Sequence, residues 1–330
     1  MSSNNKITTH TCKICKNDKG NIQYLAKEMM FGFKDEFIYF ECKACHCLQI
    51  EKFPNDMSKY YPDDYYSFSE YNPEKFNGLA GYIRKKQYSW EIPDGKSYKR
   101  TLAFLFAGKH FRLINGVSVN KETKILDIGC GNGSLFLYPL AEIGFKNLLG
   151  SDPFLKVPRI YPNGLHIKNS QVFDILGKWD IITYHHSFEH IENPLQNLKK
   201  VSELLSENGV CILRVPTVPS YAWEHYRTNW VQLDAPRHFF LHSKRSMEIL
   251  AKKSGLELFK TVYDSTTFQF IESERYVNNI SFLSPEPKGV INCVKKKIKK
   301  YQYKKFAKKL NNEGKGDQAA FYFRKRGNRN

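Results

Sequence analysis

An α/β fold on a mostly parallel sheet, with a small cysteine-rich module at its N-terminus, is what the sequence predicts. Three observations carry that expectation. An apolar strand runs into a glycine loop at 124–134, a second strand ends on Asp152, and two C-x-x-C pairs stand at Cys12/Cys15 and Cys42/Cys45.

In Lys124-Ile-Leu-Asp-Ile-Gly-Cys-Gly-Asn-Gly-Ser134, Ile125, Leu126 and Ile128 make a short strand of the continuous apolar kind that parallel sheets bury. Gly129, Gly131 and Gly133 then form a tight turn into a helix expected over about 134–143. Glycine is needed where the backbone turns sharply and lies against a ligand without an intervening Cβ. A dinucleotide fingerprint has the spacing G-x-G-x-x-G. Here the spacing is G-x-G-x-G, with Asp127 at the strand end. That version resembles motif I of the class I S-adenosylmethionine (SAM) methyltransferases. Leu148-Leu-Gly-Ser-Asp152 reads as the next strand, and a carboxylate about twenty residues past such a loop accepts hydrogen bonds from ribose hydroxyls. The resemblance implies a Rossmann-like sheet of seven strands with the last antiparallel, and Asp127, the three glycines and Asp152 as cofactor-binding residues for SAM.

The bulk numbers fit one full α/β domain plus a smaller module in 330 residues. Aromatics at 15% and hydrophobics at 41% supply a packed core and exclude a disordered chain. No apolar run approaches a membrane span and residues 1–10 are polar, so the expected location is cytoplasmic and the eight cysteines read as thiols and metal ligands. A formal charge of +18 implies an anionic neighbour: nucleic acid, a phosphorylated sugar carrier or a membrane face.

Taken in order, residues 1–52 are expected to form a zinc ribbon. Two C-x-x-C knuckles separated by a strand at 37–40 suit tetrahedral Zn²⁺ with four thiolates, Cys12, Cys15, Cys42 and Cys45. His46 and Cys47 adjoin the second knuckle as competing ligands. A closed site of four thiolates is structural, and in a segment with so little core the metal supplies much of the folding free energy. Residues 53–95 form an aromatic linker whose tyrosines (60, 61, 65 and 66) either pack the ribbon or wall a substrate site. The main domain covers 96–330, opening with a helix over about 96–113. A third strand falls within 164–173, with the adenine site near 169–172. A fourth covers 180–184, an amphipathic helix 195–206, and a fifth strand 210–215.

The fourth strand opens into Tyr184-His-His-Ser-Phe-Glu-His190. His186, Glu189 and His190 fall at i, i+3 and i+4 and share a face if the segment is helical. A histidine there suits deprotonation of an acceptor hydroxyl. The bland alternative is that Glu189 and His190 cap and order the loop. The cluster also resembles the E-x-x-E-H signature of metal-dependent 2′-O-methyltransferases acting on small RNA ends, with His186 in place of the first Glu. His238, in Asp234-Ala-Pro-Arg-His238, falls roughly where those enzymes place a further ligand. His186, Glu189, His190 and His238 are the expected pocket residues.

Residues 230–239 read as a loop, 243–255 as a helix closed by glycine, 256–264 as strand six and 319–325 as strand seven, an antiparallel edge. Between the last two lies an insertion at 289–310. Its lysine-rich helix contains no acid and places Val294, Ile298 and Tyr301 on one stripe. Such helices lie on anionic bilayers or grip phosphate backbones, and an apolar stripe also serves simply to pack on the domain.

Together with the ribbon, the tract around Asp63 and Glu189-His190-Ile191, the chain resembles methyltransferases encoded in bacterial surface-polysaccharide gene clusters, including C-methyltransferases of nucleotide-linked deoxysugars. That resemblance implies a sugar or glycan acceptor, with peripheral contact to an anionic membrane through 289–310. The rivals are an RNA methyltransferase and a non-catalytic binding protein on the same fold.

Overall fold

A computed structural model describes residues 6–61, 73–92, 111, 113–114, 117–285 and 290–327, with the side chains of the last stretch described from Lys297. The expected helix at 96–113 and most of the tyrosine tract lie outside the described residues.

The chain forms two compact units that are not successive stretches of sequence. The first comprises Met1–Pro62, Phe188–Leu198 and Arg214–Phe321. The second comprises Asp63–Ser187, Lys199–Leu213 and Tyr322–Asn330.

In the first unit, β1 (Lys6–Thr8), β2 (Asn21–Lys27), β3 (Glu36–Glu41) and β4 (Leu48–Ile50) make an antiparallel meander. Two C-x-x-C knuckles interrupt it, and their backbones repeat one pattern. The Lys16 amide donates to Cys12 O at 3.0 Å, and the His46 amide to Cys42 O at 2.8 Å. Lys16 and His46 both sit at positive φ, 70° and 58°, so His46 occupies the turning position of its knuckle. Fully buried Cys47 follows it.

The second unit carries α1 (Gly78–Glu91) and the parallel core, made of β5 (Ile125–Ile128), β6 (Leu148–Ser151), β8 (His166–Lys168) and β9 (Trp179–His185). All four residues of β5 are buried, as a strand between two parallel neighbours requires. A two-residue strand, β7 (Arg159–Ile160), turns antiparallel onto β8 and was not foreseen. The helix after the glycine loop, α2 (Leu137–Glu142), starts three residues later than expected, because Gly133 at φ +71° keeps the chain in turns through Phe136.

After α3 (Pro194–Leu204), β10 (Leu205–Pro216) runs from the second unit into the first. Residues 217–239 include a short helix, α4 (Tyr221–Tyr226), and two single 3-10 turns, the second of which, Val231–Leu233, falls in the stretch 230–239 expected as loop. Strand β11 (Phe240–Leu241) then pairs antiparallel with β4, Phe240 opposite Gln49, and gives the ribbon sheet a fifth strand. Ser243 caps α5 (Lys244–Lys253) by accepting from the Ser246 amide at 2.9 Å, and Gly255 at φ +77° ends it. Strand β12 (Leu256–Tyr263), α6 (Phe268–Val277), the lysine-rich α7 (Val290–Asn312) and β13 (Gln318–Lys325) complete the chain.

The eight-stranded sheet has the order β12-β13-β10-β9-β5-β6-β8-β7. The last strand is therefore interior, between β12 and β10, and not the edge the sequence suggested. The Thr217 amide donates to Asp317 O and Lys325 pairs with Glu207, so β13 runs antiparallel to β10.

Candidate functional site

The glycine loop adopts a shape only glycine holds comfortably. Gly129, Gly131 and Gly133 have φ of 68°, 56° and 71°. A Cβ on Gly129 would lie 2.4 Å from Ser187 Cβ, and one on Gly133 would lie 2.5 Å from Ile167 Cδ1. Ser187 is itself anchored, donating its hydroxyl to Ile128 O at 2.7 Å. The two acids expected at the strand ends flank this loop. Asp152 accepts from the Gly131 amide at 2.8 Å through one oxygen and from the Phe154 amide at 2.9 Å through the other. Asp127 accepts from the Thr183 hydroxyl at 2.8 Å.

Both carboxyls are nearly sealed from solvent, and burial lifts their pKa values. Asp127 rises to about 8, the Asp152 charge adding to the burial effect against the Thr183 hydrogen bond. Buried carboxyls beside a backbone cradle favour a ligand with positive charge and hydroxyl donors. SAM has both, in its sulfonium, its ammonium and its ribose.

A second cluster lies in the first unit. Glu189 and His190 belong to one 3-10 turn, Phe188–His190, and His238 follows the 3-10 turn Val231–Leu233. The ligand atoms of Glu189, His190 and His238 all lie within 4.8 Å of one another. His190 Nδ1 is 2.8 Å from Arg237 O, and His238 Nδ1 is 2.8 Å from Gln232 O. A carbonyl only accepts, so each Nδ1 carries a proton, which makes Nε2 the basic nitrogen of each ring. Tyr61 places its hydroxyl 3.0 Å from His190 Nδ1, and His238 Nε2 is 3.9 Å from Glu189 Oε1. Burial, reinforced by His238, brings His190 down to about 4, so the ring is neutral at physiological pH.

His186 does not join the cluster. It sits at φ +52° before the 3-10 turn, so the helical register that would have aligned it with Glu189 and His190 never forms.

Arg237 organises the loop behind the histidines. Fully buried, it donates to Asp234 through Nε at 2.9 Å and through Nη2, lies 3.5 Å from Glu28 and stands 5.3 Å over the Phe31 ring. Burial alone would raise the Asp234 carboxyl, but the Arg237 guanidinium outweighs it and the net shift is downward. Glu28 also accepts the amides of Phe31, Gly32 and Phe33.

The third constellation is the cysteine group. Cys12 and Cys45 place their sulfurs 3.6 Å apart, Cys15 and Cys42 theirs 3.5 Å apart, and all four lie within 4.8 Å of one another. Gln49 Nε2 donates to Cys12 Sγ at 3.1 Å. Among the described residues, neither His46 nor Cys47 enters the group.

Residues 94–261, just over half the chain, match the family model described as a methyltransferase domain. The chain belongs to that methyltransferase family. SAM is the methyl donor that this family supports. No curated protein matches the chain. Among solved structures, the methyltransferase is similar to StiE O-MT, residues 961–1257 (16% identity, 74% of this chain and 81% of that chain, TM-score 0.39). It is also similar to the cyclopropane synthase MmaA2 from Mycobacterium tuberculosis (14% identity, 72% and 93%, TM-score 0.42).

Sequence reasoning missed Tyr61 and Arg237 as partners of the cluster, and Thr183 as the partner of Asp127. Only the D-x-x-R-H spacing carried a signal, since Asp and Arg at i and i+3 can pair.

Asp127 gives the methyltransferase a measurable pH signature. Its folded pKa, about 8, lies above the ordinary carboxyl value, so the native state holds a proton that the unfolded chain releases. Its contribution to stability is complete below about pH 4 and is lost as pH rises through about 8. Melting curves of ligand-free wild type and Asp127→Asn are expected to diverge between about pH 4 and 8, the variant gaining on the wild type as pH rises, and to run parallel above that. Curves parallel throughout would contradict the shift.

Proposed function

We propose that this methyltransferase moves the SAM methyl group to a sugar, nucleotide-linked or lipid-linked, in cytoplasmic steps of surface-polysaccharide biosynthesis. The observation that carries the reading is the Glu189–His190–His238 cluster, its central His190 half-buried and with the Tyr61 hydroxyl on it. A sulfonium brings an already activated methyl, so the protein must align the partners and, for a hydroxyl or a carbon beside a keto group, remove a proton. His190 and His238 offer Nε2 lone pairs for that proton, and Arg237, through Asp234 and its own carbonyl, fixes the rings. The resemblance of the N-terminal module and of Glu189-His190-Ile191 to glycan-modifying methyltransferases points the same way.

Zinc in the ribbon belongs to this reading. Zn–S bonds of about 2.3 Å in a tetrahedron put sulfurs about 3.8 Å apart. The 3.5 and 3.6 Å pairs fit that spacing. The four thiolates would hold the knuckles together and take no part in transfer.

One observation favours a second reading, a 2′-O-methyltransferase of RNA: two imidazoles and a carboxylate within 4.8 Å are a donor set for a divalent cation. Release of S-adenosylhomocysteine by the purified enzyme, measured with nucleotide sugars, lipid-linked glycans and short RNA, separates the two. Turnover with either sugar class is expected. Turnover with RNA alone would overturn the sugar reading.

A further inference from the structure

Among the described residues, helix α7 carries apolar side chains on two opposite faces, and one of those faces is packed against its own unit. On the covered face Ala307 and Leu310 are buried and Tyr303 and Phe306 half-buried, at i, i+3, i+4 and i+7. The Phe306 ring stacks on Phe270 at 5.3 Å and meets Tyr221 edge-on at 4.9 Å. The stripe singled out in the sequence is a different one. Ile298 is 57% exposed and Tyr301 61% exposed, and they lie nine residues before Ala307 and Leu310, on the opposite side of the helix from each.

Around this outward stripe the charge has one sign. Over its 23 residues α7 contains no Asp or Glu. Lys297, Lys304 and Lys308 line one side of the stripe and Lys309 the other, all exposed. Lys305 holds its ammonium 4.7 Å over the Tyr301 ring. Among the described residues, the acids paired with this helix are Glu274, with Lys299, and Glu313, with Lys309.

We infer that α7 lies on an anionic bilayer, with Ile298 and Tyr301 sunk into the headgroup boundary and the flanking lysines on lipid phosphates. Charge complementarity selects a polyanionic surface, and the apolar stripe selects among such surfaces. A phosphate backbone matches the lysines but leaves an aliphatic side chain in water. A bilayer takes both at once, aromatic side chains with a polar tip settle at its interface, and lysines reach outward to phosphate. Because the opposite face is committed to Phe270 and Tyr221, the helix can dock without unfolding from its unit. This inference stands apart from the sugar reading, since an enzyme that methylates a soluble sugar and ignores vesicles would overturn the docking alone.

The test is co-sedimentation of the full chain with vesicles of phosphatidylcholine alone, or with about one-third phosphatidylglycerol, at about 0.15 M salt. Binding is expected only to the anionic vesicles. Changing Lys297, Lys304, Lys305 and Lys308 to Gln is expected to weaken it by at least about 100-fold. The Ile298→Ser/Tyr301→Ser variant, which keeps every charge, is expected to weaken it by about tenfold or more. SAM affinity reports that each variant is folded. Absence of binding to anionic vesicles, or full binding by the serine variant, would overturn the docking. Salt-sensitive binding to RNA that the serine variant retains, without vesicle binding, would mark α7 as a nucleic-acid surface instead.

Discussion

His190→Ala is expected to lower methyl transfer by about 10²- to 10⁴-fold while leaving SAM affinity nearly unchanged. The ring's Nδ1 proton is tied to Arg237 O at 2.8 Å, which leaves Nε2 as its reactive atom. Alanine removes that lone pair and releases the Tyr61 hydroxyl, while the glycine cradle in the other unit keeps Asp127, Asp152 and the three glycines. The split between catalysis and affinity is the informative readout. Calorimetric titration of the variant with SAM, beside single-turnover rates, measures both. A loss of SAM affinity that matches the loss of rate would make His190 structural.

The second large effect is metal loss from the ribbon. Wild type is expected to carry one zinc per chain, and a Cys42→Ser/Cys45→Ser variant to lose it, and with it the fold of β1–β4. Structural zinc sites contribute apparent free energies on the order of 10 kcal/mol, more than so small a sheet recovers from its own core. The damage should spread along a definite path. Strand β4 pairs with β11, Phe240 opposite Gln49, and His238 lies two residues before β11. Tyr39 of β3 also donates its hydroxyl to His238 O at 2.9 Å. Hydrogen exchange should therefore rise in β2–β4 and in 238–241 together, with transfer lost and SAM binding retained. A zinc-free variant with native exchange and full activity would contradict the structural role.

Legibility in the sequence followed range. The buried β5, the positive-φ glycines, the paired knuckles and the Ser243-capped helix are each written in a few consecutive residues, and local chemistry suffices to read them. What was misread depended on long-range pairing. Nothing near Phe240 announces that it joins a sheet begun two hundred residues earlier, and nothing in β13 distinguishes an edge from an interior strand. Whether the stripe of Ile298 and Tyr301 packs or faces outward stayed open in the sequence, because it is as apolar as the stripe that packs. Burial is decided by Phe270 and Tyr221, which periodicity cannot see. His186 fell to a local cause. Its left-handed backbone breaks the helix on which the i, i+3, i+4 argument depended. Arg237 was unreadable for a physical reason, since a fully buried guanidinium is tolerable only when partners such as Asp234 and Glu28 converge on it.

The measurement that bears most directly on the central claim is transfer of label from methyl-tritiated SAM into an extract of the source cell. The extract is divided afterwards into nucleotide sugars, lipid-linked glycans and RNA. Label in a sugar fraction, absent with His190→Ala, is the predicted result. Label confined to RNA, or no transfer by an enzyme that binds SAM, would contradict it.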